Sequence, residues 1–298
     1  MPNIINRDSH FSVVTPILNG LQYLPRCIGS VRNNINDCID VEHIVQDGGS
    51  LDGTVDYLSA HENVFKNSSS FMFSWESGSD KGMYDAINKG WMRSTGDFVS
   101  WLNGDEQYLP RTLNTVRAAS LLHPEADIFF GDVIICDGKG DALAARREIA
   151  VKPRHLCNGV LYPFSATMFF HRRLLDQGLL FFDTSYKLCG DFDLILNLLS
   201  AGARMVHIPQ YLSLFTISGV NLSTRHKSAL LTESEAIRKK HGGVHRNCLR
   251  RAMLIDRWFH KLIAGCYRRD SIDYDYVIDD IGGSVKKRGH NLGWSFVI

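Results

Sequence analysis

The chain has 298 residues, 44% of them hydrophobic and 22% charged, and a formal net charge of +1. That is room for one large α/β domain with an appendage, or for two domains, of ordinary soluble globular composition. The near-zero net charge excludes a chain built as a whole for nucleic acid.

In chain order, FSVVTPIL (11–18) is a β-branched run stopped by Asn19-Gly20 and predicts a buried strand entering a loop. Apolar residues at helical spacing predict a helix over 24–35. VEHIVQDGGS (41–50) is a second strand ending in Asp47 and two glycines, and a helix follows over 51–60 with Asp52 as N-cap. SFMFSWE (70–76) is a third strand, KGMYDAINKGWMRS (81–94) a helix and GDFVSWLN (96–103) a fourth strand. A helix over 110–122 has proline at its first position, and ADIFFGDVII (126–135) is a fifth strand. Residues 137–152 read as a hairpin or loop, and 164–175 as a strand running into a helix. A helix starts at 189 and stops at Gly202, and 203–209 is a strand closed by Pro209. After SGVNLST (218–224) the pattern turns to helices rich in Lys and Arg.

Strands alternating with helices every 20–30 residues predict βαβ units and a mostly parallel sheet, with ligands beyond the carboxyl ends of the strands. The polar clusters fall at those ends: Asn19, Asp47, Glu76 to Asp80, and Asn103 to Glu106. Four successive coincidences predict one shared cleft. Neither GxGxxG nor GxxxxGK[ST] is present, so a nicotinamide turn and a P-loop are not supported.

ESGSDKGMYDAINKG (76–90) concentrates Glu76, Asp80, Lys81, Tyr84, Asp85, Asn88 and Lys89 where a loop enters a helix. WLNGDEQYLP (101–110) places an amide, a glycine and two carboxylates straight after a buried strand. Mg²⁺ and Mn²⁺ prefer carboxylate, water and phosphate oxygens, and a protein often supplies only one or two of them. Asp105 is the expected metal ligand, with Glu106 second, and Asn103 and Gly104 beside a ligand that brings its own diphosphate. Asp191, in the first turn of the 189–202 helix, could serve as a general base, with Asp193 and Asp183 as alternatives. The twelve histidines are dispersed and contain no HExxH.

VVTPILNG, VQDGGSLDGT, DKGMYDAINKGW and TGDFVSWLNGDE, in this order, resemble the successive signatures of the family 2 glycosyltransferases with the GT-A fold, over roughly residues 10–220. The chain is similar to bacterial members of that family that assemble colanic acid, capsule or O-antigen repeat units. The resemblance implies a Rossmann-like, mostly parallel central sheet with flanking helices. It implies transfer of a hexose-type sugar, with inversion, from a nucleotide-diphosphate sugar (a UDP-sugar) to a glycan or polyprenyl-diphosphate-linked acceptor, assisted by Mn²⁺ or Mg²⁺. By position, Thr15 and Pro16 would open the nucleotide pocket and Asp47 would bind uracil or ribose. Asp80, Lys81 and Asn88 would line the nucleotide and diphosphate side. Asp105 would take the place of the last Asp of the family's DxD motif, and Asp191 that of the base. Leu18 stands where the family often has Tyr, and Asn103 where it has the first Asp. The alternatives are a sugar nucleotidyltransferase, whose glycine-rich triphosphate loop TPILNGLQYLPR does not supply, and a non-catalytic nucleotide-sugar-binding protein.

The expected division is a catalytic domain over 1–224 and a basic, mainly helical extension over 225–298. The extension holds 15 Lys and Arg against 8 Asp and Glu, leaving the first 224 residues at −6. In residues 247–269, an amphipathic basic helix with Trp258 is open to two uses: lying on an anionic membrane, or packing on the domain or across a homo-oligomer. The seven cysteines are scattered, odd in number and without a CxxC pair, as suits free thiols in a reducing compartment. The polar N-terminus has no signal-peptide core and no stretch reaches membrane-span length. A cytoplasmic protein is expected, able to contact the inner face of the membrane. The last 28 residues carry no assignment.

Overall fold

A computed structural model describes residues 9–65, 70–217, 227–244 and 247–294. The chain opens with strand β1 (Ser9–Ile17), helix α1 (Leu24–Arg32), strand β2 (Ile39–Asp47), helix α2 (Thr54–Phe65), strand β3 (Phe71–Ser77), helix α3 (Met83–Arg93) and strand β4 (Phe98–Trp101). It continues through β5 (Gln107–Tyr108), α4 (Thr112–Leu122), β6 (Ile128–Asp137), β7 (Ala142–Arg146), α5 (Pro153–Asn158), β8 (Phe169–His171), α6 (Arg173–Asp176), α7 (Gly190–Ser200) and β9 (Met205–Ile217). The C-terminal segment holds α8 (Lys227–Lys240), α9 (Asn247–Ile263) and the strands β10 (Asp270–Val277) and β11 (Ser284–Leu292).

The central sheet has the order β3-β2-β1-β4-β8-β6-β9-β5, with β7 paired to β6. Strands β1 to β4 are parallel, and β8 is antiparallel to both β4 and β6, so β6 and β9 run with the first four. The expected α/β, mostly parallel sheet is present. Strands β1, β4 and β6 are buried on both sides, which is why they read as continuous apolar runs. Phe11, Val13 and Ile17 of β1 face a core with α1, α2 and α4, while Val14 faces Tyr84, Ile87 and Trp91 of α3 and the apolar side of α7. Gly90 lets α3 press on β1: a Cβ there would lie 2.4 Å from Val14 Cγ1.

The strand expected to close at Pro209 does not stop there. Proline offers no N–H to the ladder, and the register slips from Gly131↔Ile208 to Asp132↔Tyr211, so Pro209 and Gln210 form a bulge and β9 continues to Ile217. The hairpin expected within 137–152 is β6–β7. The described part of the unassigned final stretch, up to residue 294, holds the antiparallel hairpin β10–β11, which meets α1 and β5. Gln107 and Val277 exchange two hydrogen bonds (3.1 and 2.9 Å), and Arg32 Nη1 donates to Asp280 O at 3.0 Å. The pattern change after 218–224 and the expected boundary at 224/225 lie outside the described residues. No helix among the described residues is long and apolar enough to cross a membrane.

Candidate active site

Parallel pairing brings the carboxyl ends of β1, β2, β3 and β4 to one edge of the sheet, with Ile17 opposite Asp47 and Asp47 opposite Ser77. The loops that leave these ends lock together. Asn19, in the left-handed region at φ 51°, accepts the Leu51 N–H at 2.8 Å, and its own N–H reaches Ser50 Oγ at 2.7 Å. Gly48 lies against Asp80, where a Cβ would come within 2.9 Å of Oδ2. Gly104 sits on the end of β1, 2.2 Å being all the room a Cβ would have from Ile17 Cδ1.

Several expected site residues have their polar atoms already engaged. Thr15 is buried, with Oγ1 2.8 Å from His43 Nε2, and Pro16 is buried beside it. Buried Asp47 accepts from the N–H groups of Gly49 and Ser50 (2.9 Å each) and from the hydroxyls of Ser50 and Ser77, so it shapes the loop. The Asn88 amide is spent on the backbone of Phe182, donating and accepting at 2.9 Å, which staples α3 to the segment before α7. Asp80 accepts the Gly82 N–H at 2.8 Å and so starts α3. Gly82 has φ 116°, a conformation that favours glycine. Lys81 is exposed, its carbonyl accepting from Lys187 Nζ at 2.8 Å.

The turn 103–106 is different. Glu106 is buried and folds back on Asn103, accepting its N–H at 2.9 Å and its amide at 3.1 Å. Asp105 keeps its carboxylate clear of side-chain hydrogen bonds among the described residues; burial pushes it up to about 6, against the pull of Arg26. Burial first, then Asp105 and Asp191, raise Glu106. Asn103 Oδ1 is buried without a hydrogen-bond partner. Crowded carboxylates and an orphaned amide oxygen fit a divalent cation. Among the described residues no three His, Cys, Asp or Glu side chains cluster tightly enough to hold an ion unaided. An ion there would take the rest of its coordination from water or a bound ligand.

Asp191 reaches the same place from a segment 86 residues later. Gly190 permits the approach: a Cβ there would lie 2.7 Å from the Tyr84 ring. Asp191 Oδ1 accepts the Phe192 N–H at 2.9 Å and faces Tyr84 Oη at 3.5 Å, and burial pushes its carboxyl up to about 6. Asp193 is buried and consumed, held by Lys240 Nζ, His241 Nε2 and Asn197 Nδ2, each at 2.9 Å. Asp183 is exposed and capped by Ser185.

A family model described as Glycosyl transferase family 2 matches residues 12–187. The chain belongs to the family 2 glycosyltransferases. A PGL/p-HBAD biosynthesis glycosyltransferase of Mycobacterium bovis is 29% identical over 205 residues, covering 66% of this chain and 74% of that protein. An uncharacterized glycosyltransferase of Mycobacterium tuberculosis is 38% identical over 97 residues, 33% of this chain and 34% of that protein. The fold matches S. aureus TarS 1–349 in complex with UDP-GlcNAc (TM-score 0.61, 15% identity, 85% of this chain and 73% of that one). It also matches a mannosyltransferase from Pyrobaculum calidifontis in complex with GDP-Man and Mn²⁺ (TM-score 0.57, 15% identity, 84% and 69%). Against a longer TarS structure the chain spans 43% of that protein. The GT-A fold and a glycosyltransferase activity follow, and the nucleotidyltransferase and non-catalytic alternatives fall away.

Two groups at this glycosyltransferase's site had not been expected. Arg26, on α1, bears on Asp105 and is itself held by the Tyr276 hydroxyl and the Gly138 carbonyl (3.4 Å), so the C-terminal hairpin reaches the site. Glu233, on α8, accepts the N–H groups of Lys187, Leu188 and Cys189 at 2.9, 2.9 and 3.0 Å, fixing the loop that delivers Asp191. No local sequence signal marks either role, since each partner is distant in the chain.

Proposed function

We propose that this glycosyltransferase moves a hexose-type sugar, with inversion, from a UDP-sugar to a glycan or lipid-linked acceptor in bacterial surface polysaccharide synthesis, at the cytoplasmic side of the membrane. The observation that carries this reading is that Asp105 and Asp191, from two separate segments, both bear electrostatically on buried Glu106. Asp191 takes the proton of the acceptor hydroxyl as that oxygen bonds the anomeric carbon. The bond from that carbon to the diphosphate oxygen breaks, and its electron pair leaves with the diphosphate. Mn²⁺ or Mg²⁺, held by Asp105 with Asn103 or Glu106 alongside, would supply neutralisation of the leaving charge. Asp47 and Asn19 shape the loop against the nucleotide, Thr15 and Pro16 form its floor, and Asp80, Lys81, Asn88 and Gly104 set the diphosphate wall. The likeness to proteins holding UDP-GlcNAc and GDP-Man supports a nucleotide-sugar donor, and the seven free thiols support a reducing compartment.

Calorimetric titration of UDP and GDP tests the donor side. UDP is expected to bind more tightly with Mn²⁺, and Asp105→Ala is expected to lose that gain, about 10-fold or more in Kd. Equal UDP affinity in Asp105→Ala and wild type, both with Mn²⁺, would remove Asp105 from the metal site.

A further inference from the structure

Helix α9 is mounted inside out. Its inward side carries charge: Lys261 is fully buried, with Nζ 2.7 Å from Glu148 Oε2, and Arg257 Nη2 reaches the same oxygen at 3.0 Å. Arg250 Nε donates to Asn158 O at 2.9 Å, and Asp256 holds Arg154 at 2.8 Å and His155 at 2.7 Å. Five of its apolar side chains point the other way, while Leu254 lies against Gly159. Ile255 is 64% exposed, Trp258 52%, Phe259 54%, Leu262 47% and Ile263 73%. Their spacing of three and four puts them on one helix face. None of the apolar side chains of α9 joins any of the hydrophobic clusters that form the core. Because the ionic contacts fix the roll of the helix, it cannot turn its apolar face inward without stripping Glu148 of its partners. An apolar stripe of this length on a folded chain marks a surface that is meant to be covered.

The charges around the stripe say what covers it. Arg251 lies one turn from Ile255 and two from Trp258, on the same side of the helix, and is exposed. Arg268 and Arg269 are exposed just past Gly265, which ends the helix with φ 70°. None of the three arginines has a carboxylate partner among the described residues. The one acid of α9, Asp256, is already engaged with Arg154 and His155. Two copies meeting through this face would set arginine against arginine with no carboxylate to answer. An anionic lipid surface answers both features. Its headgroups take the arginines, its acyl region takes Ile255, Phe259 and Ile263, and Trp258, stacked towards Tyr267 at 6.3 Å, sits at the boundary between them.

We infer that α9 is a membrane-docking helix that lies in the interface of an anionic bilayer, its apolar face outward from the protein and its roll set by the Glu148 ion cluster. The inference does not depend on which sugar or acceptor the enzyme uses.

Vesicle flotation of the full chain tests it. The protein is expected to float with phosphatidylglycerol-containing vesicles and to bind pure phosphatidylcholine on the order of 100-fold more weakly, since three arginines near an anionic surface add about 1 kcal/mol each. The double variant Phe259→Asp, Ile263→Asp changes only exposed positions, so its melting temperature is expected to stay at the wild-type value while flotation falls about 10-fold or more. Arg251→Glu with Arg268→Glu is expected to abolish the preference for anionic vesicles. The inference is overturned by failure to float with either vesicle, by flotation unchanged in the double variant, or by a sedimentation-velocity dimer that the double variant dissolves in a protein that ignores vesicles. Nucleotide binding, measured in parallel, reports on the donor site alone, so loss of one function leaves the other readable.

Discussion

Asp191 sits where α7 begins, and burial pushes its carboxyl up to about 6 from the ordinary 3.8. As a base it must be ionised, so turnover is expected to fall as pH drops through about 6, seen as the acid limb of the kcat/KM profile. The same shift carries a stability cost. A carboxyl whose folded pKa is raised is penalised in its charged form, so the cost is absent below about 3.8 and complete above about 6. Asp191→Asn is therefore expected to lose turnover, retain UDP binding, and unfold at a higher temperature at pH 8 than wild type, by up to about 2–3 kcal/mol. Near-normal turnover in that variant would end the assignment. The helix start and the acceptor-side resemblance favour Asp191 over Asp193 in the sequence, but the contacts that engage Asp193, from Lys240 and His241, 47 and 48 residues away, are not visible there. Asp47 and Asn88 show the converse. Their motifs mark them as important, but the sequence does not tell a residue that touches a ligand from one that shapes the loop or staples the helix beside it.

At the scale of elements, α8 acts on the site through the Glu233 carboxylate, which holds the backbone that leads into α7. Glu233 collects three consecutive N–H groups ahead of α7, the donors that a helix entrance would otherwise leave to water. Hydrogen bonds to a charged acceptor contribute about 1.5–3 kcal/mol each, so Glu233→Ala frees a loop whose only task near the site is to aim Asp191. The expected result is a kcat lowered about 10-fold or more with UDP affinity unchanged, and partial recovery in Glu233→Gln, which keeps two of the acceptor contacts at best. Equal losses in kcat and UDP affinity would point to general unfolding of this side instead. The βαβ succession was legible because buried parallel strands give unbroken apolar runs and their helices keep a 3.6 period. Pro209 misled, since a bulge lets a proline stand inside β9. In the hairpin β10–β11 the alternation of Ile272, Tyr274 and Tyr276 with polar residues, and Gly282-Gly283 at the turn, were signals in the sequence. They are faint because β11 carries only Leu292 as a buried apolar side chain.

Across the whole molecule, α9 is joined to the rest through buried charge more than through apolar contact. Glu148 is 3% exposed and meets Lys261, Arg257 and Arg146, the last at 3.4 Å. The sequence shows α9 as one apolar and one basic face, and nothing in that pattern says which is turned inward; the answer lies in a glutamate 113 residues from Lys261. The cluster is lopsided, one acid against three bases, and the lopsidedness makes it testable. Removing Lys261 leaves Glu148 with two cations, so the buried carboxylate stays compensated. Removing Glu148 leaves three cations packed together with no counter-charge, one of them fully buried. Burial already drives the Lys261 ammonium down to about 8 while Glu148 pulls it back up. Without Glu148 that ammonium would lose its proton at neutral pH or leave the interior. Glu148→Ala is therefore expected to cost about 3–5 kcal/mol in urea denaturation, and Lys261→Met about 1 kcal/mol or less, because methionine fills the same channel and strands no charge. Limited proteolysis should then open the Glu148→Ala chain first within residues 245–265, and not the Lys261→Met chain. Equal destabilisation by the two substitutions would show that α9 is held by shape alone, and the explanation for its outward apolar face would go with it.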